Sequence, residues 1–351
     1  MSGGVDSSVA ALLLERAGHE VVGIHLRTGV KAGPELPGAR PRCCGTGEAE
    51  DARRVCARLQ IPFYVQNTET EFAGLMEAFA DAYAAGRTPN PCIACNSRIK
   101  FGALLARARA LGADAVATGH YSRRVEHRGR WAVARARDAR KDQSYVLYEL
   151  GPEELEAIRF PLGELEKSEV RALAREAGFG VADKRESQEI CFVPSGNYRD
   201  LVRSRRPDAF RPGEIVDGSG RVLGAHDGVG GFTVGQRKGL GLSSAKPLFV
   251  TRIDFRTREV VVAPREELGL REAQLEAVRW TAIDPPAEPF EADVRLRYQA
   301  QPLRAVVEPL AERGRIRLRF ENPAWPVTPG QAAVLYDDDV VLGGGRIRAC
   351  S

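Results

Sequence analysis

In the first two hundred residues, apolar positions recur alternately at helical and at strand spacing. Helical spacing runs from Ser7 to Ala17 and stops at Gly18, a residue suited to closing a helix. A short apolar strand is predicted over Val21–Leu26, followed by a polar, Gly/Pro-rich loop from Gly29 to Gly47. Helix Glu48–Leu59, strand Pro62–Gln66 and helix Glu69–Ala84 come next. Beyond the Arg87–Asn96 segment, helix Ser97–Leu111 leads into strand Ala113–Thr118. Tyr121–Ala136 alternates about Arg128-Gly129 and predicts a hairpin, and Ser168 is a good N-cap for a helix ending at Gly178. Alternation of this kind predicts an α/β fold on a parallel sheet.

The pattern changes near Arg203–Pro212. From there the chain is rich in Gly, Pro and alternating β-branched residues, and helical periodicity fades. Asp208–Pro264 reads as a small β-rich module holding the glycine-heavy GGFTVGQRKGLGL, and Pro285, Pro286 and Pro289 mark a linker. Glu291–Tyr298, Leu303–Glu308, Arg315–Phe320, Gln331–Tyr336 and Val340–Ile347 are short strands at barrel or sandwich spacing. Three domains are expected: 1–205, 206–270 and 271–351.

Composition sets limits without choosing a function. The 351 residues, 43% hydrophobic and 28% charged, match an ordinary soluble globular protein. No apolar run approaches the roughly 18–20 residues of a membrane-spanning helix. The opening MSGGVDSSVA lacks the pattern of a secretory signal, so no membrane association and a cytoplasmic location are expected. The net charge of +4 is modest, but its positive part is mostly arginine. Arginine holds phosphates bidentately and stacks on bases, which permits an RNA partner; a GC-rich coding sequence gives the same enrichment. An odd count of seven cysteines argues against a disulfide framework and for metal or redox chemistry.

Ser2-Gly3-Gly4-Val5-Asp6-Ser7-Ser8 opens a helix directly. Glycines let backbone N–H groups approach an anion, serines add hydroxyl donors, and the helix N-terminus is partially positive. Asp6 suits Mg²⁺, which binds through one or two carboxylates plus phosphate oxygens. The run lacks the GxxxxGK[ST] of a Walker loop; it is the SGGxDS signature of PP-loop ATP pyrophosphatases, which leave AMP on the substrate and release pyrophosphate. Such a loop ordinarily follows a buried strand, whereas here Met1 stands just before it, so the native chain is expected to begin upstream.

Cys92 and Cys95 form a CxxC ahead of the helix predicted from Ser97, a position expected to lower a thiol pKa. Cys191 lies in the short apolar Ser187-Gln188-Glu189-Ile190-Cys191-Phe192. Taken alone, the CxxC has several readings: a zinc half-site, a redox pair or a cluster ligand. Cys43-Cys44, Cys56 and Cys350 read as incidental or small-core residues.

Taken together, SGGVDSS, AGRTPNPCIACNSRIKF, ATGHY, KDQSYVLY, GELEKSEVR, SQEICF, GQRKGLGL, RLRYQ and TPGQAAVLY resemble the tRNA-specific 2-thiouridylases, PP-loop enzymes that thiolate the wobble uridine of tRNA. The resemblance spans Ser2 to Leu335. It implies a PP-loop domain, a small central domain and a C-terminal β-barrel. It also implies ATP-dependent adenylation of the uridine 2-oxygen, then sulfur transfer from a persulfide on Cys191, with Cys95 as nucleophile or acid and a Cys95–Cys191 disulfide closing the cycle. ATP would be held by Ser2, Gly3, Gly4, Val5, Asp6, Ser7, Leu26 and Gly119. Asn90, Pro91 and Cys92 would touch the target base. His120, Lys141, Asp142, Gln143, Arg297, Tyr298 and Gln331 would meet the tRNA elsewhere. A lone histidine is more often structural, and Lys141–Gln143 taken alone is a solvated turn.

Cys92, Cys95 and Cys191 together could instead hold a four-iron cluster with one open iron. That opens an alternative, thiolation of another tRNA base through a cluster. A PP-loop synthetase adenylating a small molecule is a further alternative, but would need neither the cysteines nor the barrel. The expected partners are tRNA and a protein supplying persulfide sulfur, with no role for DNA. Arg203, Arg205 and Arg206 read as a solvated basic face that could extend an RNA path.

Overall fold

The computed structural model describes residues 1–30, 46–184, 190–193 and 197–348. Cys43, Cys44, Cys350, most of the predicted Gly29–Gly47 loop and the Ser187–Glu189 part of the Cys191 segment lie outside the described residues. The chain divides into two compact units: Met1–Leu75 with Cys92–Gly196 and Asp339–Val341, and Met76–Pro91 with Asn197–Asp338 and Leu342–Ser351.

The first unit is α/β. It contains α1 (Val5–Arg16), β1 (Gly23–Arg27), α2 (Thr46–Arg58), β2 (Phe63–Asn67) and the start of α3 (Glu69–Ala84). β1 and β2 pair in parallel from Gly23↔Phe63 to Arg27↔Asn67. A helical run follows as α4 (Pro91–Ala94), a π-helix (Cys95–Ala103) and α5 (Leu104–Ala110). Then come β3 (Val116–Ala117), the hairpin β4 (Arg123–His127) and β5 (Arg130–Ala134), α6 (Pro152–Glu156), β6 (Ile158–Arg159) and α7 (Lys167–Glu176). β3 and β6 form a second parallel pair, Val116↔Ile158. The buried face of α1 (Val5, Val9, Ala10, Leu12) packs with Val55 of α2 and Val170 and Ala174 of α7. Each of these valines and the leucine gains about 1.5–3 kcal/mol on burial, and together they fix the start of α1 against α7. Cys56 is buried, its sulfur filling the space a Cβ on Gly23 would need.

Two expectations are corrected here. The helix before Gly178 is capped at Glu166 and not at Ser168: Glu169 accepts a hydrogen bond from the Glu166 N–H at 2.6 Å, so the acidic reach-back sets the start. The helical run carrying the CxxC begins at Pro91 and not at Ser97, because proline is well suited to a first helical position.

The second unit is β-rich. Helix α8 (Tyr198–Arg205) precedes β7 (Gly213–Val216), β8 (Val222–His226), β9 (Leu248–Asp254) and β10 (Glu259–Pro264), ordered β8-β7-β10-β9. Their core joins Ile215, Val250, Val260 and Val262 to Phe232 and Leu240. Next are β11 (Leu270–Trp280), β12 (Phe290–Arg295), β13 (Leu303–Pro309), β14 (Ile316–Ala324), β15 (Ala332–Asp337) and β16 (Val340–Ile347). They run β11-β14-β13-β12-β15-β16, and β11 pairs back onto β16 to close a six-stranded barrel. Alternate residues such as Val294, Val307, Leu318 and Leu335 fill its interior. Arg205 and Arg206 are not free for RNA: Arg205 bonds Glu77 at 2.8 Å and Arg206 bonds Asp81 at 2.6 Å. Among the described residues, no helix is long and apolar enough to cross a membrane.

Candidate functional site

The glycine-rich segment closes on itself before α1. The Ser2 N–H donates to Ser7 Oγ at 3.1 Å, and Ser8 Oγ donates to the Gly4 carbonyl at 2.9 Å. Gly3 has φ +74°, and a Cβ there would stand 2.4 Å from the Glu48 carbonyl oxygen, so only glycine fits. Gly119, just past the carboxyl end of β3, lies flush against this turn. A Cβ on it would sit 2.6 Å from the Asp6 carbonyl carbon and 2.7 Å from the Ser7 nitrogen. Sequence segments more than a hundred residues apart thus meet at a strand end, where α/β sheets hold ligands. Leu26, half-buried, occupies the matching end of β1.

Sequence reasoning missed three side chains at this turn. Lys167 Nζ lies 2.6 Å from Asp6 Oδ1, and the Tyr121 hydroxyl donates to the same oxygen at 2.9 Å. Lys184 Nζ donates to the Gly3 carbonyl at 3.0 Å and to Asp51 at 2.8 Å. Two ammonium groups thus stand beside the glycine turn, each held by a carboxylate, Lys167 by Asp6 and Lys184 by Asp51. Tyr121, Lys167 and Lys184 sit in or beside the ATGHY, GELEKSEVR and SQEICF stretches, but only the fold brings them to the loop.

Cys95 begins the π-helix and is buried, Cys92 is exposed, Cys191 is half-buried, and none of the three is in a disulfide. The wide turns are visible where the Leu104 N–H donates to the Ile99 carbonyl, five residues back; such turns recur at functional sites. The expected lowering of the thiol pKa at the CxxC is overturned. Burial pushes the Cys95 thiol up, with the Lys100 ammonium pulling the other way. The Cys92 thiol is raised too, by desolvation of its sulfur although the residue as a whole is exposed. Among the described residues, no three His, Cys, Asp or Glu side chains gather to hold a metal ion. The three cysteines therefore do not form a cluster-ligand set in this structure.

His120 is buried, with Nδ1 2.8 Å from Thr118 Oγ1 and its ring among Phe101 and Phe160. Burial first, then Lys100, holds its pKa well below the ordinary value of 6.5. Lys141 is half-buried and Asp142 buried, the latter accepting from the Ala136 and Ser144 N–H groups at 3.2 and 3.1 Å. Gln143 accepts from the Tyr121 N–H at 2.9 Å. In the second unit, Arg297 is exposed and Tyr298 half-buried in the turn between β12 and β13. The Gln331 side chain donates to the Thr88 carbonyl at 2.9 Å, while the Thr88 N–H donates to the Pro329 carbonyl at 2.8 Å. The turn at Gly330 thereby holds the segment leading to half-buried Asn90 and buried Pro91.

A glycine turn at a parallel strand end, with a carboxylate and two lysines, sits in one unit, and a closed barrel in the other; this is the organisation of a multidomain PP-loop nucleotide enzyme. Family models match the chain in three consecutive parts. A tRNA methyl transferase HUP domain covers residues 1–195, its PRC-barrel domain 199–264, and an aminomethyltransferase β-barrel domain 270–347. The chain is 48% identical to the tRNA-specific 2-thiouridylases of Roseiflexus castenholzii and Moorella thermoacetica. These alignments cover 99% of this chain and 97% and 98% of the relatives. It is 43% identical to that of Clostridium perfringens, over 99% and 97% of the two chains. The chain belongs to the tRNA-specific 2-thiouridylase family, ATP-using sulfurtransferases that act on tRNA.

Proposed function

We propose that the chain thiolates the 2-position of the wobble uridine by way of an adenylated base and a persulfide on Cys191. The reading is carried by one observation: the phosphate loop, Cys95 and Cys191 belong to the same compact unit. Ser2, Gly3, Gly4, Val5, Asp6 and Ser7 cradle the triphosphate, Gly119 allows its close approach, and Leu26 lines the adenine side. The uridine 2-oxygen attacks the α-phosphorus, the bond to the β-phosphate oxygen breaks, and pyrophosphate leaves. Adenylation converts a poor leaving group into a phosphate ester. The terminal sulfur of the Cys191 persulfide then attacks C2, and the C2–O bond breaks to release AMP. The Cys95 thiolate attacks the inner sulfur of Cys191, and the S–S bond electrons pass to the sulfur left on the base. A Cys95–Cys191 disulfide forms, which an external dithiol must reduce before the next turnover.

Asp6, a half-buried carboxylate beside the phosphate turn, fits a Mg²⁺ held mainly by triphosphate oxygens, which would neutralise charge on the leaving pyrophosphate. Among the described residues Cys92, Cys95 and Cys191 are not gathered as a ligand set, and no step is drawn through a four-iron cluster. Asn90, Pro91 and Cys92 face the target base. Arg297 and Tyr298 offer phosphate pairing and stacking, and His120, Lys141, Asp142, Gln143 and Gln331 support RNA contacts. A protein carrying persulfide supplies the sulfur, and the cycle of free thiols suits the cytoplasm.

A single turnover of enzyme already carrying the Cys191 persulfide, with α-phosphate-labelled ATP and tRNA, tests this reading. It yields labelled AMP with unlabelled pyrophosphate, and peptide mass analysis finds Cys95 joined to Cys191. Labelled ADP, or thiolated tRNA without that disulfide, refutes it.

A further inference from the structure

The loop joining the short 3₁₀ turn Val229–Gly231 to β9 carries positive charge that the chemistry above does not use. From Gly228 to Ile253 the sequence contains Arg237, Lys238, Lys246 and Arg252 and not one acidic residue. Leu240 is buried in the core of the four-stranded sheet and Leu242 packs against it, so the loop is pinned at its middle. Gln236 fixes its entry, accepting from the Thr233 N–H at 3.1 Å and donating to the Lys238 carbonyl at 3.0 Å. Around these anchors Arg237, Lys238, Gly239 and Lys246 are exposed. Arg237, Gly239 and Lys246, with Gly241 and Ser244, line an open depression of about 420 Å³ that Leu240 and Leu242 floor, and Lys238 adjoins Arg237 in sequence.

The arginines around this module differ in their partners. Arg205, Arg206, Arg211 and Arg221 each meet a carboxylate. Among the described residues Arg237 and Lys238 make no ion pair, and Lys246 makes one exposed pair, 3.8 Å from Glu266. Arg199 likewise has no carboxylate partner among the described residues. It lies over the Phe232 ring, its Nη2 3.9 Å from where a Cβ on Gly239 would stand. Unpaired cations on a pinned glycine-rich loop, beside a polar depression, suit a ligand with spaced single negative charges and a wide surface. That is the chemistry of an RNA backbone.

We propose that Arg199 in the first turn of α8, with Arg237 and Lys238 on the loop Gly235–Leu248, forms a docking site for the tRNA phosphate backbone. The site serves binding and takes no part in the chemistry at the base. This rests on tRNA being the substrate. In the full-length protein, Arg237→Gln/Lys238→Gln is expected to weaken tRNA binding roughly tenfold or more at about 100 mM salt. The slope of log affinity against log salt should become shallower by about 1.5. KM for tRNA rises, KM for ATP is unchanged, and kcat at saturating tRNA is retained. The charge-preserving Arg237→Lys/Lys238→Arg restores affinity. Should the glutamine variant fail to fold, hydrogen exchange of residues 237–246 in the wild-type protein decides: tRNA protects them if the site exists. Unchanged affinity and salt slope in the folded variant, or absence of that protection, overturns the proposal. Failure of the wild-type protein to bind or thiolate tRNA would instead strike at the parent reading.

Discussion

Lys167 Nζ stands 2.6 Å from Asp6 Oδ1, although 161 residues separate them in sequence. The pair is largely withdrawn from solvent, the lysine side chain 12% and the carboxylate 30% exposed. In the free enzyme the lysine neutralises the carboxylate of the phosphate turn. On the proposed reading, a bound triphosphate would give the ammonium a more highly charged partner. Lys167→Met is therefore expected to lower kcat/KM for ATP by about 10²–10³, the range for loss of one preorganised charge donor. Its tRNA affinity should stay near wild type. Steady-state kinetics with ATP varied would check this, and wild-type values would show that Lys167 only braces Asp6.

Gly3→Ala should damage the fold before it damages chemistry. The new methyl would lie 2.4 Å from the Glu48 carbonyl oxygen, on a backbone with φ +74°. A cost of roughly 1–3 kcal/mol follows from the left-handed backbone alone. Urea unfolding measures it, and an unshifted midpoint would show that the turn can rearrange freely.

His120 predicts a pH dependence of stability. Its folded pKa lies well below 6.5 because burial and Lys100 oppose the charged ring. Below about pH 6.5 the unfolded chain takes up a proton that the folded chain refuses, so stability falls as pH drops from there toward the folded pKa. His25 and His226 are lowered in the same sense, by burial first. His120→Asn should make the decline between pH 7 and 5 shallower without abolishing it. Melting curves across that range would reveal an unaltered slope if His120 were not protected.

How much of this was readable in the residues varied by element, for physical reasons. Helix α3 appears at its expected ends, Glu69 and Ala84, because its periodicity is uninterrupted. Strand β11 escaped notice: Ala277 takes φ +50° and the pairing slips between Glu276 and Arg279, which breaks the alternation that announces a strand. The glycine turn was legible because seven consecutive residues specify it. Lys167 and Lys184 were not, since ordinary surface lysines look the same in sequence and only the packing of α7 beside α1 brings Lys167 to Asp6. The lowered thiol pKa expected of the CxxC failed because burial of Cys95 outweighs the pull of the Lys100 ammonium.

Gln331 holds the Thr88 carbonyl at 2.9 Å, bracing the segment that ends at Pro91. Gln331→Ala removes one side-chain hydrogen bond, a loss of about 1 kcal/mol. Amide exchange at Thr88 should quicken and KM for tRNA should rise, with ATP kinetics unaltered. Exchange at wild-type rates would mean that the Gly330 turn alone suffices.

The most direct measurement is mass analysis of wobble nucleosides from a strain lacking this gene and carrying it back as wild type, Cys95→Ser or Cys191→Ser. Wild type alone should restore 2-thiouridine, and both serine variants should leave plain uridine at that position. Thiolated wobble uridine in the deletion strain, or its return with either variant, would contradict sulfur transfer through Cys95 and Cys191.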